Sequence, residues 1–264
     1  HYQFYSNDMT QAVSDRLELG NQLRGALQHD NELQLYYQPQ VCLIDGHIVG
    51  VEALMRWHHP QEGIIAPGRF LPVAEDNGLM PELDGWALRV ACHQIAVWQN
   101  EGFEPMIVAV NISQPTFVAG GLVERLRRLL DETQIDPRWL ELEITEGALL
   151  EPSTQVLDTI NGLKELGVML AVDDFGTGYS SLAYLHRYRV DKLKIDRSFV
   201  QSVEDEDEGR VITTTIIHMA KGLGLQVLAE GVETEAQLNF LRDNGCESYQ
   251  GFYFSKPVPV AELK

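Results

Sequence analysis

Apolar, strand-like segments in this chain run repeatedly into a carboxylate, and that pattern narrows the folds open to it. The fullest case is Val168-Met-Leu-Ala-Val-Asp-Asp-Phe-Gly-Thr-Gly178, where Asp173 and Asp174 stand side by side ahead of a glycine-rich loop. Val49-Gly-Val-Glu-Ala-Leu54, Leu140-Glu-Leu-Glu-Ile-Thr-Glu146, Lys192-Leu-Lys-Ile-Asp196 and Val227-Leu-Ala-Glu230 end alike, and Ile107-Val-Ala-Val-Asn111 supplies an amide. Like charges at short range repel, so this many acidic strand ends gathered in one fold call for cations among them.

The order of elements says how they gather. Helical spacing occurs at about 81–100, 120–132, 153–166, 208–222 and 234–243, with a shorter stretch near 180–186. Strands are expected near 106–110, 139–144, 168–172, 191–195, 225–229 and 248–250. Pro152-Ser153 opens one helix, and Gly167, Gly224 and Gly245 follow the ends of others. Leu33 to Tyr37 and Ile48 to Leu54 are strands separated by Ile44-Asp-Gly46, too short a link for a crossover helix, so they form an antiparallel hairpin. The hairpin raises the count to eight, the number that closes a (β/α)₈ barrel. A doubly wound open sheet alternates in the same way, but only a barrel brings all these strand ends to one mouth. The reading is an α/β fold, a lead-in segment with a helix over residues 1–30 (Leu17, Leu19, Leu23, Ala26 and Leu27) and a barrel over 31–264.

Acidic residues outnumber basic ones 39 to 20. That excess argues against nonspecific binding to long nucleic acid or to an anionic membrane, both of which need a basic surface. A small nucleotide stays open, because bound cations invert the local charge. Glu204-Asp-Glu-Asp-Glu208 reads as a solvated helix start. Cys42, Cys92 and Cys246, odd in number and widely spaced, read as buried free thiols in a reducing, cytoplasmic setting. No apolar run approaches the roughly 20 residues of a membrane span. The start at His1 reads as part of a longer protein whose other segments are free to be membrane-anchored.

At a strand-to-loop transition, Asp173 and Asp174 can turn into one mouth, one bridging two cations and the other holding the second. Gly176 and Gly178 let the backbone turn sharply, without the lysine of a nucleotide phosphate loop. Glu52 and Glu143 sit inside apolar segments, where an unpaired carboxylate is costly, and Asn111 offers a neutral oxygen. An oxygen-only set favours Mg²⁺ or Mn²⁺. His58-His59 reads as a loop edge without zinc spacing. Lys194 shares a strand face with Lys192 and Asp196, placed to orient a water or neutralise an anion, or else to pair structurally with neighbouring acids. Arg56 can hold a phosphate with its planar fork, or pack as a surface arginine beside Trp57. Two chemistries remain open on these residues: metal-assisted phosphodiester cleavage and an enolase-like proton abstraction, the latter giving less reason for adjacent Asp173 and Asp174.

The motifs carry a resemblance. Tyr37-Gln-Pro39, Glu52-Ala-Leu-Met-Arg-Trp57, Pro67-Gly-Arg-Phe-Leu-Pro-Val-Ala-Glu75, Asn111-Ile-Ser113, Glu143-Ile-Thr-Glu146, Asp173-Asp-Phe-Gly-Thr-Gly178, Lys194-Ile-Asp-Arg-Ser-Phe199, Ala229-Glu-Gly-Val-Glu233 and Gln250-Gly251 follow one another over residues 30–260. Together they resemble the EAL family of cyclic di-GMP phosphodiesterases. His1-Tyr-Gln-Phe-Tyr-Ser6 is similar to the tail of the GGDEF-like, diguanylate-cyclase-like domain that often precedes such modules.

The resemblance implies a modified TIM barrel with an antiparallel first strand. It implies two Mg²⁺ or Mn²⁺ ions: Glu52, Asn111, Glu143 and Asp173 hold the first, Asp173 bridges to the second, Asp174 also holds that one, and Glu230 completes the network. Lys194 orients or tunes the water, with Glu233 in support and Gln250 nearby. Glu146 anchors the loop that includes Gly176, Thr177 and Gly178, and couples it to a dimer surface. Arg56 clamps a phosphate, with Gln38 and Asp196 as further substrate contacts. The implied reaction is hydrolysis of cyclic di-GMP to linear 5′-pGpG, inhibited by Ca²⁺, in a homodimer. The alternative within the resemblance is a receptor that binds cyclic di-GMP and hydrolyses little.

Overall fold

The computed structural model describes residues 7–28, 32–150, 153–176, 185, 187–204 and 207–263. Most of the short helix expected near 180–186, together with Thr177 and Gly178, lies outside the described residues.

The chain opens with helix α1 (Asn7–Ala26), then strands β1 (Leu33–Cys42) and β2 (Ile48–His59), paired antiparallel with Gln38 opposite Glu52. Both strands are longer than their expected spans. Pro39 lacks an N–H, yet the ladder continues through it, with Pro39 opposite Val51 and a register shift only at Gln40/Val41. At the far end of β2, His58 and His59 lie within the strand, contrary to the loop edge expected for them. His59 is buried and bonded through Nε2 to Gln22 Oε1 at 3.1 Å.

A short strand β3 (Gly63–Ile65) pairs with the end of β2, and α2 (Pro67–Asp76) follows, with Pro67 pre-setting its first turn. After α3 (Met80–Asn100) come β4 (Ile107–Ile112), α4 (Gln114–Val118), α5 (Leu122–Thr133), β5 (Leu140–Thr145), α6 (Glu146–Leu150), α7 (Thr154–Leu166) and β6 (Met169–Phe175). Strand β7 (Lys192–Ile195), helices Arg197–Ser202 and Asp207–Gly222, strand β8 (Gln226–Ala229), helix Glu235–Asp243, strand β9 (Ser248–Tyr249) and strand β10 (Val258–Pro259) complete the order.

Strands β2, β4, β5, β6, β7, β8 and β9 pair in parallel in that order, and β1 closes the circle antiparallel to both β9 and β2. The result is a closed eight-stranded barrel with one reversed strand, and β3 and β10 are short additions outside it. Closure removes the edges an open sheet would leave.

The helices pack because their apolar residues recur on one face. In α5, Leu122, Leu126, Leu129 and Leu130 are buried, and each such leucine contributes roughly 2 kcal/mol. Ser153 Oγ accepts from Val156 N at 3.1 Å to start α7, and Gly167 ends it at φ 87°. Thr234 and Gln237 form a reciprocal capping box on the helix at 235–243. A second apolar cluster seats α1, with Leu19, Leu23 and Ala26 packed among Trp57, Phe70 and Leu83. Among the described residues, no helix is long and apolar enough to cross a membrane.

Candidate active site

Inward-facing positions along the barrel strands form polar layers above one another. The lower layer joins Lys192, whose Nζ lies 2.7 Å from Glu141 Oε1 and 3.3 Å from Gln40 Oε1. Two residues further along the parallel strands stand Glu143 on β5 and Lys194 on β7. Asn111 on β4 is in register with Glu143, and Thr145 with Asp173 on β6, so parallel pairing carries these positions to one mouth.

Lys194 is the hub. Its Nζ lies 2.7 Å from Glu143 Oε2, 2.7 Å from Glu230 Oε1, 3.0 Å from Asp173 Oδ1 and 3.9 Å from Glu52 Oε1. Burial alone would pull the lysine pKa down, but Asp173, Glu143, Glu230 and Glu52 outweigh it and hold Lys194 well above the usual range. One cation therefore stands among four acids, and the shortage of positive charge shows in the acids. Burial raises Glu143 well above the usual carboxylate range; Lys194 opposes this, and Glu52, Asp173 and Glu141 add to the rise. Burial likewise brings Glu230 to about 8, against the pull of Lys194 and with Asp173 and Glu52 adding to it. For Asp174, whose side chain reaches solvent at the rim, partial burial leads and the charges of Asp173 and Asp196 raise it further. Glu52 moves the other way: burial is outweighed by Lys194 and by side-chain hydrogen bonds, Gln250 and Asn111 foremost among them.

The neighbours fix these acids in place. Asn111 Nδ2 donates to Glu52 Oε1 at 2.7 Å. Gln250 Nε2 donates to Glu52 Oε2 and, at 3.0 Å, to Gln38 Oε1, while Gln38 Nε2 donates to Ser255 O at 3.0 Å. Asp174 turns at φ 53°, a left-handed conformation that an aspartate tolerates, and its N–H donates to Asp173 Oδ1 at 3.0 Å. Beside this turn, Gly176 N donates to Glu146 Oε2 at 3.2 Å. Gly176 has φ 98°, and a Cβ there would meet Phe199 Cε2 at 2.8 Å, so only glycine fits.

The donor set suits a hard cation. Asp173, Asp174 and Glu230 each bring a carboxylate oxygen within 4.8 Å of the other two. Glu143 Oε1 is buried with no hydrogen-bond partner among the described residues. Oxygen ligands around unneutralised, mutually repelling charge are what Mg²⁺ and Mn²⁺ take up.

Above the acids opens a cleft of about 340 Å³, lined by Glu52, Asp173, Glu230 and Glu233 and by Gln38, Gln250 and Arg56. Lys194 and Glu143, 0% and 1% exposed, form no part of its lining. The guanidinium of Arg56 stands over the Tyr36 ring at 5.6 Å, so its aromatic neighbour is Tyr36 and not Trp57, which is buried beside Phe70. Two expected substrate contacts take other bonds: Gln38 spends its amide on Ser255 and Gln250, and Asp196 caps the helix at 197–202 through Ser198 N at 3.0 Å and is not among the cleft residues.

Arg197, Gln201, Phe252 and Pro257 also line the cleft and were not singled out from the sequence. Arg197 directly follows Asp196 in a quoted motif, and exposed Phe252 directly follows Gly251, so adjacency was the available signal. Gly231 has φ 68°, and a Cβ there would meet Arg197 Cβ at 2.5 Å, which ties the loop after β8 to this cleft wall.

Comparison with known proteins adds ancestry to this geometry. The family model described as "EAL domain" matches residues 20–257. From Pseudomonas aeruginosa, the cyclic di-GMP phosphodiesterase NbdA is 44% identical over 262 residues, covering 99% of this chain and 33% of that protein. The bifunctional diguanylate cyclase/cyclic di-GMP phosphodiesterase MucR of the same organism is 41% identical, covering 99% and 38%. A solved structure, the PaMucR phosphodiesterase in complex with c-di-GMP, superposes with TM-score 0.90 at 42% identity over 94% of this chain and all of that one. The chain thus spans well under half the length of these two curated relatives.

Proposed function

The chain belongs to the EAL domain family, and from that membership we propose that it hydrolyses one phosphodiester of cyclic di-GMP to give linear 5′-pGpG. The observation that carries the reading is the single lysine, Lys194, held among Glu52, Glu143, Asp173 and Glu230 beneath an open cleft. Glu52, Asn111, Glu143 and Asp173 would hold one divalent cation, and Asp173, Asp174 and Glu230 a second. When bound, such ions supply Lewis-acid polarisation of phosphoryl oxygens and acidify the attacking water.

The chain's own residues do the positioning. Arg56 faces the cleft with a planar fork suited to a phosphate. Lys194 is enclosed, so it acts on the water through the carboxylates of Asp173 and Glu230 that it fixes, and its charge limits their repulsion. Gln250 and Asn111 lock Glu52, and Gln38 braces Gln250. Glu146 ties the Gly176 amide and so holds the turn that presents Asp174. Inhibition by Ca²⁺, a homodimer, an upstream GGDEF-like or sensory domain and a cytoplasmic location carry over from the resemblance as parts of the same proposal.

Timed nucleotide separation with the purified chain, in Mg²⁺ and again in Mn²⁺, tests the reading. Accumulating pGpG is expected in at least one ion. Intact substrate in both, with binding demonstrated, would leave a receptor; an absence of nucleotide binding would leave neither.

A further inference from the structure

A groove of about 860 Å³ lies between α1, α3 and α5 and, among the described residues, shares no lining residue with the mouth cleft. Its charge runs against that of the chain. The sequence holds 39 acidic against 20 basic residues, yet among the described residues the groove is lined by Arg24, Arg89, Arg125 and Arg128 against Glu82 and Glu132.

The four arginines are not alike. Arg125 is part of the wall: its Nη1 donates to Pro81 O at 3.2 Å, and a Cβ at Gly85 would meet that nitrogen at 3.0 Å, so glycine makes room for it. Arg24 and Arg89 are exposed, and their guanidinium groups make no hydrogen bond or ion pair with any described residue. Arg128 bonds within its own helix, through Nε to Glu124 O at 3.3 Å. Between them stands Trp86, packed partly against both apolar clusters and also lining the groove.

We propose that this groove binds a nucleoside polyphosphate, its phosphates gripped by Arg24, Arg89 and Arg128 and its base lying against Trp86. Guanidinium forks match phosphate oxygens in pairs, and an indole face accepts a planar ring. The volume falls within the range of roughly 300–1,000 Å³ typical of small-molecule sites. Glu82 and Glu132 offer acceptors to the donor groups of the base or sugar. A concave site with an aromatic among arginines favours such a ligand over a flat acidic protein surface.

The groove also joins two parts of the fold. Arg24 comes from α1 and Arg89 from α3, so occupancy fastens the lead-in helix to α3. On another face of α3, Asp84 Oδ2 accepts from Ser113 N at 3.0 Å and Ser113 Oγ at 2.6 Å, two residues beyond Asn111. The ligand thereby grips the helix that holds one strand end of the mouth.

Calorimetric titration of the 264-residue chain with ATP, GTP and inorganic tripolyphosphate in excess EDTA tests the site, because chelation removes the cations that would draw phosphate to the acidic mouth. Saturable binding of a nucleotide is expected, weakened at least about tenfold by Arg24→Ala with Arg89→Ala and, separately, by Arg128→Ala. Arg56→Ala in the mouth should leave it unchanged. Trp86→Leu should weaken the nucleotide and not tripolyphosphate, with melting curves confirming that each variant folds. No saturation at millimolar nucleotide, equal affinity in the arginine variants, or tripolyphosphate binding as tightly as the nucleotides would overturn the proposal.

Discussion

Lys194 Nζ and Glu143 Oε2 meet at 2.7 Å in the barrel interior, both side chains wholly shielded from water. Neither is affordable there alone, and three further carboxylates crowd the same ammonium. Lys194→Met should therefore act twice. Turnover of cyclic di-GMP should fall by about 10²-fold, the cost of misplacing reacting groups by about an ångström once Asp173 and Glu230 lose the ammonium that fixes them. Stability in chelator should drop by about 3–5 kcal/mol, as when one partner of a buried pair is removed. Mn²⁺ should restore much of that stability by replacing the lost positive charge, with turnover still depressed. Denaturant melts with and without Mn²⁺, alongside kinetics, read both; an unchanged turnover would remove Lys194 from the reaction.

Asp174 and Asp173 are adjacent in sequence but differently placed. Asp173 touches Lys194, whereas Asp174 is exposed at a left-handed turn and contributes to the oxygen triad with Glu230. Asp174→Asn keeps the shape and removes the charge. We expect one of two Mn²⁺ binding events to be lost in calorimetry, and kcat to fall more than substrate affinity. Two intact binding events with normal kcat would take Asp174 out of the second cation's ligand set.

The barrel was legible because helix and strand periods alternate cleanly, and the mouth was legible because each acidic strand end interrupts an apolar run. What escaped depended on three-dimensional neighbours. Strand β1 continues past Pro39 because its ladder to β2 holds on either side of the missing N–H. His58 and His59 look like a polar turn, yet β2 carries them onward, with His59 inward against Gln22 of α1. Asp196 shares its strand face with Lys194 in sequence, but it lies past the strand end, where the helix N-terminus claims its carboxylate. The lower layer of Lys192, Glu141 and Gln40 was visible only as alternation, since nothing in the sequence pairs residues 152 positions apart.

Glu146 Oε2 holds the Gly176 amide at 3.2 Å, and Glu146 Oε1 is buried without a partner among the described residues. Glu146→Ala removes the acceptor and leaves that amide without its carboxylate. Turnover should drop at least about tenfold, with faster hydrogen exchange at Gly176 and an unchanged melting cooperativity. Glu146→Gln keeps an acceptor and should recover part of the rate. A wild-type rate from the alanine variant would reduce Glu146 to an ordinary acid at the start of α6.

The raised acids also fix a pH dependence of stability. Burial holds Glu230 at about 8 in the folded chain, far above an ordinary carboxylate, and raises Glu143 as well, so across this interval the native state binds more protons than the unfolded one. Stability then falls as pH rises, because its slope follows protons bound unfolded minus protons bound native. In chelator, the melting temperature should be higher at about pH 6 than at about pH 8. Saturating Mn²⁺ should flatten or reverse that slope, since cations favour the deprotonated acids and release their protons on binding. Melting at several pH values, with proton release followed by calorimetry in buffers of different ionisation enthalpy, checks both halves. A chelated protein that gains stability from about pH 6 to pH 8 would show that other groups, and not the mouth acids, govern its titration.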